Sequence, residues 1–211
     1  MTSNTDRQRP DTGDVDFSFM YAAHDAFARD LLRLSLAAVA GRAFEPRELA
    51  RWKTFSEQLH LHHRIEDAAL WPPLRAKPLT PQEIQTMDAM ELEHAQIDPG
   101  LEAVEDAIAD RDADAFGRGI QTLIESLGGH MRHEETAALP MVETYLGRAG
   151  WAAFGAQFRG AQGIRGAAGF FPWLLDDASA ETTAHILGLL PLPARLLYRL
   201  FWVRKYRRNS Y

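Results

Sequence analysis

Apolar residues recur at helical spacing over most of the chain, with polar residues at the intervening positions. The first such stretch covers about residues 16–40, where Phe17, His24 and Leu31 fall on one stripe. Similar patterns predict helices over about residues 46–71 and 114–146, and another helix that opens at Thr80. Because the connections between these long helices are short, we expect an all-α protein, an up-down-up-down four-helix bundle with a C-terminal helical extension.

Proline, glycine and a capping motif mark where these helices begin and end. Pro46 suits the first turn of the second helix, and Thr80-Pro81-Gln82-Glu83 forms a capping box at the start of the third. Pro99 predicts a kink in the third helix just past His94, and Gly147 ends the fourth. These boundaries divide the chain into a disordered N-terminal tail (1–15), the bundle (16–146) and an extension that packs on the bundle (147–211).

Composition narrows the class of protein and the chemistry open to it. With 211 residues, 46% of them hydrophobic, the chain is long enough for one domain with an appendage. The absence of cysteine excludes disulfides, thiolate zinc sites and cysteine-ligated iron–sulfur clusters, so His, Asp and Glu would hold any metal ion. The polar N-terminus lacks the apolar segment of a secretory signal, and no uncharged run is long enough to span a bilayer, so we expect a cytoplasmic protein.

The C-terminal end of the extension is strongly basic. Residues 195–211 hold six of the 23 Lys and Arg and no acidic residue, which leaves 17 cations against 29 acidic residues elsewhere. From Pro193 the pattern predicts an amphipathic helix, with apolar residues on one side and basic residues largely on the other: Leu196, Leu197, Leu200, Phe201 and Val203 against Arg195, Arg199 and Lys205. The tail either packs on the acidic bundle or on a second subunit of a homodimer, or it binds an anionic membrane surface. We expect no nucleic-acid partner, because the body is acidic and no recognition motif is present.

One short motif occurs twice in matching surroundings. His62-x-x-x-Glu66 and His130-x-x-x-Glu134 are each followed by a proline ten residues after the histidine. A solitary histidine precedes each copy, His24 by 38 residues and His94 by 36. Residues four apart in a helix project from one face, with Cβ atoms roughly 5–6 Å apart. One helix can therefore offer an imidazole and a carboxylate together.

These six residues lie on predicted inward faces, which points to a dinuclear metal site built from facing helices. Imidazole suits iron, zinc or copper, and a carboxylate can bridge two cations. Burying Glu66 or Glu134 without a cation would cost several kcal/mol or force protonation. A structural role, as a hydrogen-bonded core histidine or a helical His–Glu pair, would explain any one of these residues. It does not explain why six of them lie on inward faces together. The predicted metal ligands are His24, His62, Glu66, His94, His130 and Glu134.

A ferritin-like carboxylate site is the other dinuclear site to be tested in a helical bundle. Its Glu-x-x-His motif occurs here twice, ending at His60 and at His94. His60, however, lies about 160° from His62 around the helix, opposite the apolar stripe, and the first helix contains no glutamate. The helical phase therefore excludes the ferritin-like arrangement.

The order of these residues resembles the hemerythrin-like family, also called the HHE cation-binding domain. The resemblance covers about residues 16–146, with one histidine or one His-x-x-x-Glu motif on each of four helices. It implies a four-helix bundle around a non-haem di-iron centre, in which Glu66 and Glu134 bridge two iron ions and the four histidines are terminal ligands. It also implies that the protein binds or reacts with a small oxidant such as dioxygen, nitric oxide or peroxide.

One position departs from the oxygen-carrying members of that family. They have a second histidine on the third helix, one turn before the first, where this chain has Met90. His63, at the edge of the ligand face, is the best candidate to replace it, whereas His133 is less well placed and His60 and His185 are assigned to surface or structural roles. An open coordination position favours reaction with peroxide or nitric oxide over stable carriage of dioxygen.

Other functions stay open at this point. Metal occupancy could control the order of the bundle, which would make the protein an iron or oxygen sensor. Iron storage or donation, without catalytic turnover, also fits six such ligands. A hydrolase or a nucleotide-dependent enzyme is disfavoured, because no Ser-His-Asp set, phosphate-binding loop or dinucleotide fingerprint is evident.

Overall fold

The computed structural model describes residues 13–210, apart from the side chains of residues 164, 165, 209 and 210. Within that range every regular element is helical, which confirms the all-α prediction. In chain order the elements are α1 (Ser18–Val39), α2 (Pro46–Ala69), α3 (Trp71–Arg75), α4 (Pro81–Asp110), α5 (Ala113–His133), a first π turn (Glu134–Ala138), α6 (Leu139–Tyr145), α7 (Gly147–Leu174), α8 (Ala180–Leu189), α9 (Leu192–Leu197), a second π turn (Tyr198–Trp202) and α10 (Val203–Ser210).

The helix boundaries follow local signals in the sequence. The predicted capping box opens α4: the hydroxyl of Thr80 accepts a hydrogen bond from the backbone N–H of Glu83, and the Glu83 carboxylate accepts one from the backbone N–H of Thr80. The second helix starts at Pro46 as predicted, but it ends at Ala69, before the prolines that follow Trp71. Pro99 lies inside α4, which continues as one run of helical residues to Asp110.

A π turn interrupts the predicted fourth helix at the end of the repeated motif. The chain passes from α5 through Glu134–Ala138 into α6 without a loop. A π turn closes its hydrogen bonds over one more residue than an α turn, so it shifts the phase of the helix. The adjacent side chains of Glu134 and Glu135, at the start of this turn, are both buried. Such turns inside α-helices are frequent at functional sites.

The extension packs against the preceding helices and shares their apolar core. The indole of Trp173 lies beside the ring of Phe27, with 5.2 Å between ring centroids, and donates a hydrogen bond of 2.7 Å to the buried carboxylate of Asp30. Arg29 donates to the backbone carbonyls of Trp173 and Asp176 at 2.9 and 2.7 Å. Apolar packing and buried polar contacts therefore hold the C-terminal part of α7 against α1.

The sequence predicts an apolar face for the C-terminal helical segment, but a different face of that segment packs against the core. Leu196, Leu200 and Phe201 are 58%, 51% and 62% exposed, while Tyr198 is buried and Trp202 packs against the core. The aromatic residues lie within or beside the second π turn, whose extra residue changes which side chains face inward. The helix therefore presents most of its leucines to solvent.

Two further observations concern the predicted N-terminal tail and the length and apolar composition of the helices. Residues 1–12 of the predicted disordered tail lie outside the described residues, while Val15 is buried. No helix in residues 13–210 has both the length and the apolar composition needed to cross a membrane.

Candidate metal centre

All six predicted ligands are buried, as the helical pattern predicts. Four regions of the chain supply them: α1 (His24), α2 (His62 and Glu66), α4 (His94) and the junction of α5 with the first π turn (His130 and Glu134). None of the six is more than 6% exposed, and both glutamates are fully enclosed. Four separate segments thus direct polar side chains into an otherwise apolar interior.

The donor atoms form two groups of three residues. His24, His62 and Glu134 make one, called here the two-histidine group. His63, His94 and His130 make the other, the three-histidine group. Within each group, the candidate donor atoms all lie within 4.8 Å of one another.

Glu66 lies between the two groups. Its Oε1 is 3.0 Å from Nε2 of His62, and its Oε2 is 3.6 Å from Nε2 of His94. One carboxylate therefore offers an oxygen to each group, which is the arrangement that a bridging carboxylate needs. Glu134 approaches Nε2 of His24 to 3.1 Å through its Oε2.

Three carboxylates outside the predicted set orient the histidines. Nδ1 of His24 is 2.8 Å from Glu135, Nδ1 of His94 is 2.9 Å from Asp67, and Nδ1 of His130 is 3.0 Å from Glu93. A carboxylate that accepts a hydrogen bond from Nδ1–H fixes the tautomer and leaves Nε2 free to bind a metal. The sequence analysis missed all three, although each directly adjoins a predicted ligand in the chain.

The buried donor atoms lack other partners. In the described part of the chain, Nε2 of His24, His62 and His63 and all four carboxylate oxygens of Glu66 and Glu134 are buried without a partner in hydrogen-bond geometry. Leaving a buried polar group unsatisfied costs about 1–3 kcal/mol, and more for a charged group. Bound cations satisfy imidazole nitrogens and carboxylate oxygens together, so this donor set fits metal ions.

Burial controls the protonation of these groups in the metal-free protein. Burial lowers the pKa of His62 to about 3 and also lowers the pKa of His63, which keeps both imidazoles in the neutral form that binds metals. Burial raises the pKa of Glu66, and the charge of Glu134 raises it further. Burial opposes ionisation of both His24 and Glu134, but their mutual contact overcomes it, raising the pKa of His24 to about 9 and lowering that of Glu134 to about 2.

The remaining histidines lie outside the two groups. Nδ1 of His133 is 2.8 Å from Glu93, which also contacts His130, and its side chain is 35% exposed. Nδ1 of His60 is 2.8 Å from the backbone carbonyl of Ser56, and His185 contacts Asp16 at the surface. Their placement agrees with the surface or structural roles assigned to His60 and His185.

Comparison with known proteins identifies the family of the chain. The sequence model of the hemerythrin HHE cation-binding domain matches residues 15–142, which is more than half of the chain and includes every candidate ligand. Neither the curated proteins nor the solved structures provide a match. The family match and the two groups of buried donors agree, and the chain belongs to the hemerythrin HHE cation-binding domain family.

Proposed function

We propose that the protein is a non-haem di-iron protein that binds or reacts with a small oxidant. Its core helices would form the up-down-up-down four-helix bundle expected from the sequence, with the ions held by His24, His62, Glu66, His94, His130 and Glu134. The observation that carries the proposal is the set of seven buried donor atoms without a partner in hydrogen-bond geometry among the described residues, including the two oxygens of Glu66, one of which faces each group.

The mixture of donors favours iron. Magnesium and calcium prefer oxygen ligands, whereas each group here supplies at least two imidazole nitrogens. Thiolate ligands are absent because the chain contains no cysteine. Two imidazole-rich groups with a carboxylate between them suit a pair of iron ions.

The surroundings of the donors restrict the size of the reacting molecule. None of the candidate donor residues, His63 included, is more than 7% exposed. The ring of Phe27 covers His62, with 5.4 Å between the two ring centroids. A diatomic molecule or peroxide suits such an enclosed position better than a bulky organic substrate does. When bound, iron supplies the electron transfer that these side chains cannot perform.

The chain's own residues hold and orient the donors. Glu135, Asp67 and Glu93 fix three imidazole rings through Nδ1, so that Nε2 of each ring is directed inward. The two-histidine group supplies one imidazole fewer than the other group. We therefore assign the small oxidant to the position beside His24 and His62.

A sensor is the second candidate, and one set of ring contacts favours it. Phe27 contacts both His62, at 5.4 Å between centroids, and Trp173 of the extension, at 5.2 Å. A change in metal occupancy that moves His62 would thus reach the extension through a single side chain. Hydrogen exchange in α7 that is identical with and without iron would remove the support for this candidate.

The test of the leading function is stopped-flow spectroscopy of the anaerobic, iron-loaded protein mixed with dioxygen, peroxide or nitric oxide. We expect an optical change with at least one of them, retained in His133→Ala and lost in Glu66→Ala. Consumption of peroxide or nitric oxide indicates turnover, whereas a dioxygen-dependent change that reverses under vacuum indicates carriage. A protein loaded with two irons that responds to none of the three would refute the proposal.

A further inference from the structure

We infer that His63 is a seventh metal ligand, which completes the three-histidine group and gives the two metal positions different donor sets. This inference rests on the proposed dinuclear centre and concerns a variable position within the first copy of the repeated motif, where the second copy has Met131. Its support is geometric and comes from the stacking, burial and donor atoms of His63.

The ring of His63 is packed among the other imidazoles of its group. It stacks on His94, with 3.9 Å between centroids and 13° between ring planes, and meets His130 edge-on at 5.4 Å. Nε2 of His63 is buried and has no hydrogen-bond partner among the described residues. An unpartnered nitrogen directed into a group of donors is the state expected of a ligand atom.

The other two histidines of the group, His94 and His130, can each offer only Nε2 to a shared ion. Nδ1 of each is held by a carboxylate, Asp67 for His94 and Glu93 for His130. Their Nε2 atoms approach each other to 3.1 Å. Because these nitrogens converge within reach of His63, a single ion can contact all three rings.

The sequence of α2 explains how one helix serves both positions. Adjacent residues in an α-helix point about 100° apart. His62 therefore joins the two-histidine group while His63 joins the other. Glu66, three or four residues further on, lies on the same face and reaches both groups. Met90 is fully buried in an apolar cluster and contributes no imidazole.

The experiment compares His63→Ala with His133→Ala by iron titration and by Mössbauer spectroscopy of the anaerobic protein. We expect His63→Ala to keep one tightly bound iron and to weaken the second by at least about 10-fold. Added imidazole should restore part of the lost spectral component by filling the space left by the ring. His133→Ala should resemble the wild type in both measurements.

Two results separate this inference from the proposed function. A wild-type protein that binds fewer than two irons contradicts the dinuclear centre itself. A wild-type protein that binds two, with His63→Ala binding both at unchanged affinity and with an unchanged spectrum, overturns only the role of His63. If His63→Ala does not fold, His63→Leu, which keeps a side chain of similar volume and has no donor atom, provides the same comparison and the same two outcomes.

A second, independent inference concerns the C-terminal helical segment. We propose that its outward face binds the surface of an anionic membrane. Five large apolar side chains on it are 40–70% exposed: Leu192, Leu196, Leu197, Leu200 and Phe201. The same segment carries five exposed cations: Arg199, Arg204, Lys205, Arg207 and Arg208. No acidic residue occurs between residues 182 and 211.

The way the segment packs keeps this face available. Tyr198 is buried and Trp202 and Tyr206 pack against the core, so the leucines are held on the opposite side. Helices that lie in the headgroup region of anionic bilayers combine leucine and phenylalanine with clustered Arg and Lys. Because residues 182–211 contain Arg and Lys but no acidic residue, the segment suits a uniformly anionic surface better than a protein surface that carries both acidic and basic residues.

Sedimentation with vesicles tests the membrane surface. We expect the protein to bind phosphatidylserine-containing vesicles, to bind phosphatidylcholine vesicles at least about 10-fold more weakly, and to dissociate in high salt. Leu196→Glu should weaken binding, while Leu92→Glu, at a leucine of α4 with the same 58% exposure, should not. Equal binding to both vesicle types would overturn the proposal. The proposal would also be overturned if light scattering detected a dimer and the Leu196→Glu substitution dissociated it.

Discussion

Replacing Glu66 with leucine should stabilise the metal-free protein and weaken its binding of iron. In the absence of a cation, both carboxylate oxygens are buried without hydrogen-bond partners, which costs about 1–3 kcal/mol or more. Leucine has a similar volume and needs no polar partner, so repacking should cost less than about 1.5 kcal/mol. We expect a net gain of about 1–2 kcal/mol in the free energy of unfolding, a rise in Tm of roughly 2–8 °C for a chain of this length.

The pH dependence of this gain follows from the raised pKa of Glu66. A carboxyl group whose pKa is higher in the folded state holds its proton more tightly there than in the unfolded chain. The contribution of Glu66 to the stability of the metal-free protein should therefore fall as the pH rises above the unfolded value of about 4.3. Glu66→Leu removes this loss, so its advantage should be small near pH 4 and larger at neutral pH.

The assay is thermal and urea unfolding of chelator-treated protein, repeated after iron is added. Iron at about 100 times its Kd should stabilise the wild type by about 2.7 kcal/mol for each ion bound and Glu66→Leu by much less. Glu102→Leu, at an exposed position of α4, should change stability by less than about 0.5 kcal/mol. A metal-free Glu66→Leu protein less stable than the wild type would refute the argument, because Glu66 would then be satisfied without a cation.

Three further predictions concern groups around the centre. Glu135→Gln should weaken iron binding by about 10–100-fold in a chelator competition, because Nδ1 of His24 loses its carboxylate; Glu102→Gln should have no effect. The metal-free Glu66→Leu protein, which lacks the opposing effect of Glu66, should lose stability as the pH falls below about 6.5, where the unfolded chain takes up protons that buried His62 and His63 do not, and a flat unfolding free energy from pH 7 to 5 would contradict this. Trp173→Phe should cost about 1–3 kcal/mol by removing the indole donor to buried Asp30, and urea unfolding that matches the wild type would show that the extension is held otherwise.

The parts of the centre that depend on helical periodicity could be predicted from the sequence. The spacing of His62 and Glu66, repeated at His130 and Glu134, puts both pairs on inward faces, and all four residues are buried. Their role as metal ligands stays a prediction, because burial and proximity do not identify an ion.

Other features depend on neighbours that are distant in the chain. Asp67 and Glu93 look like ordinary helix-surface residues, and their contacts with His94 and His130 span 27 and 37 positions. The first π turn adds a residue to one turn, which a pattern of constant period does not reveal. The C-terminal segment has an apolar face and an aromatic face, and only tertiary packing decides that Tyr198 and Trp202 face inward.

Mössbauer spectroscopy of protein reconstituted anaerobically with isotopically enriched ferrous iron, quantified per chain, tests the dinuclear centre most directly. Two irons per chain should give two components of equal area, because one group of candidate donors has three imidazoles and the other has two imidazoles and a carboxylate. Glu66→Ala should disturb both components, since one oxygen of Glu66 faces each group. A single tightly bound iron per chain at saturating iron, with the second group of donors empty, would contradict the account.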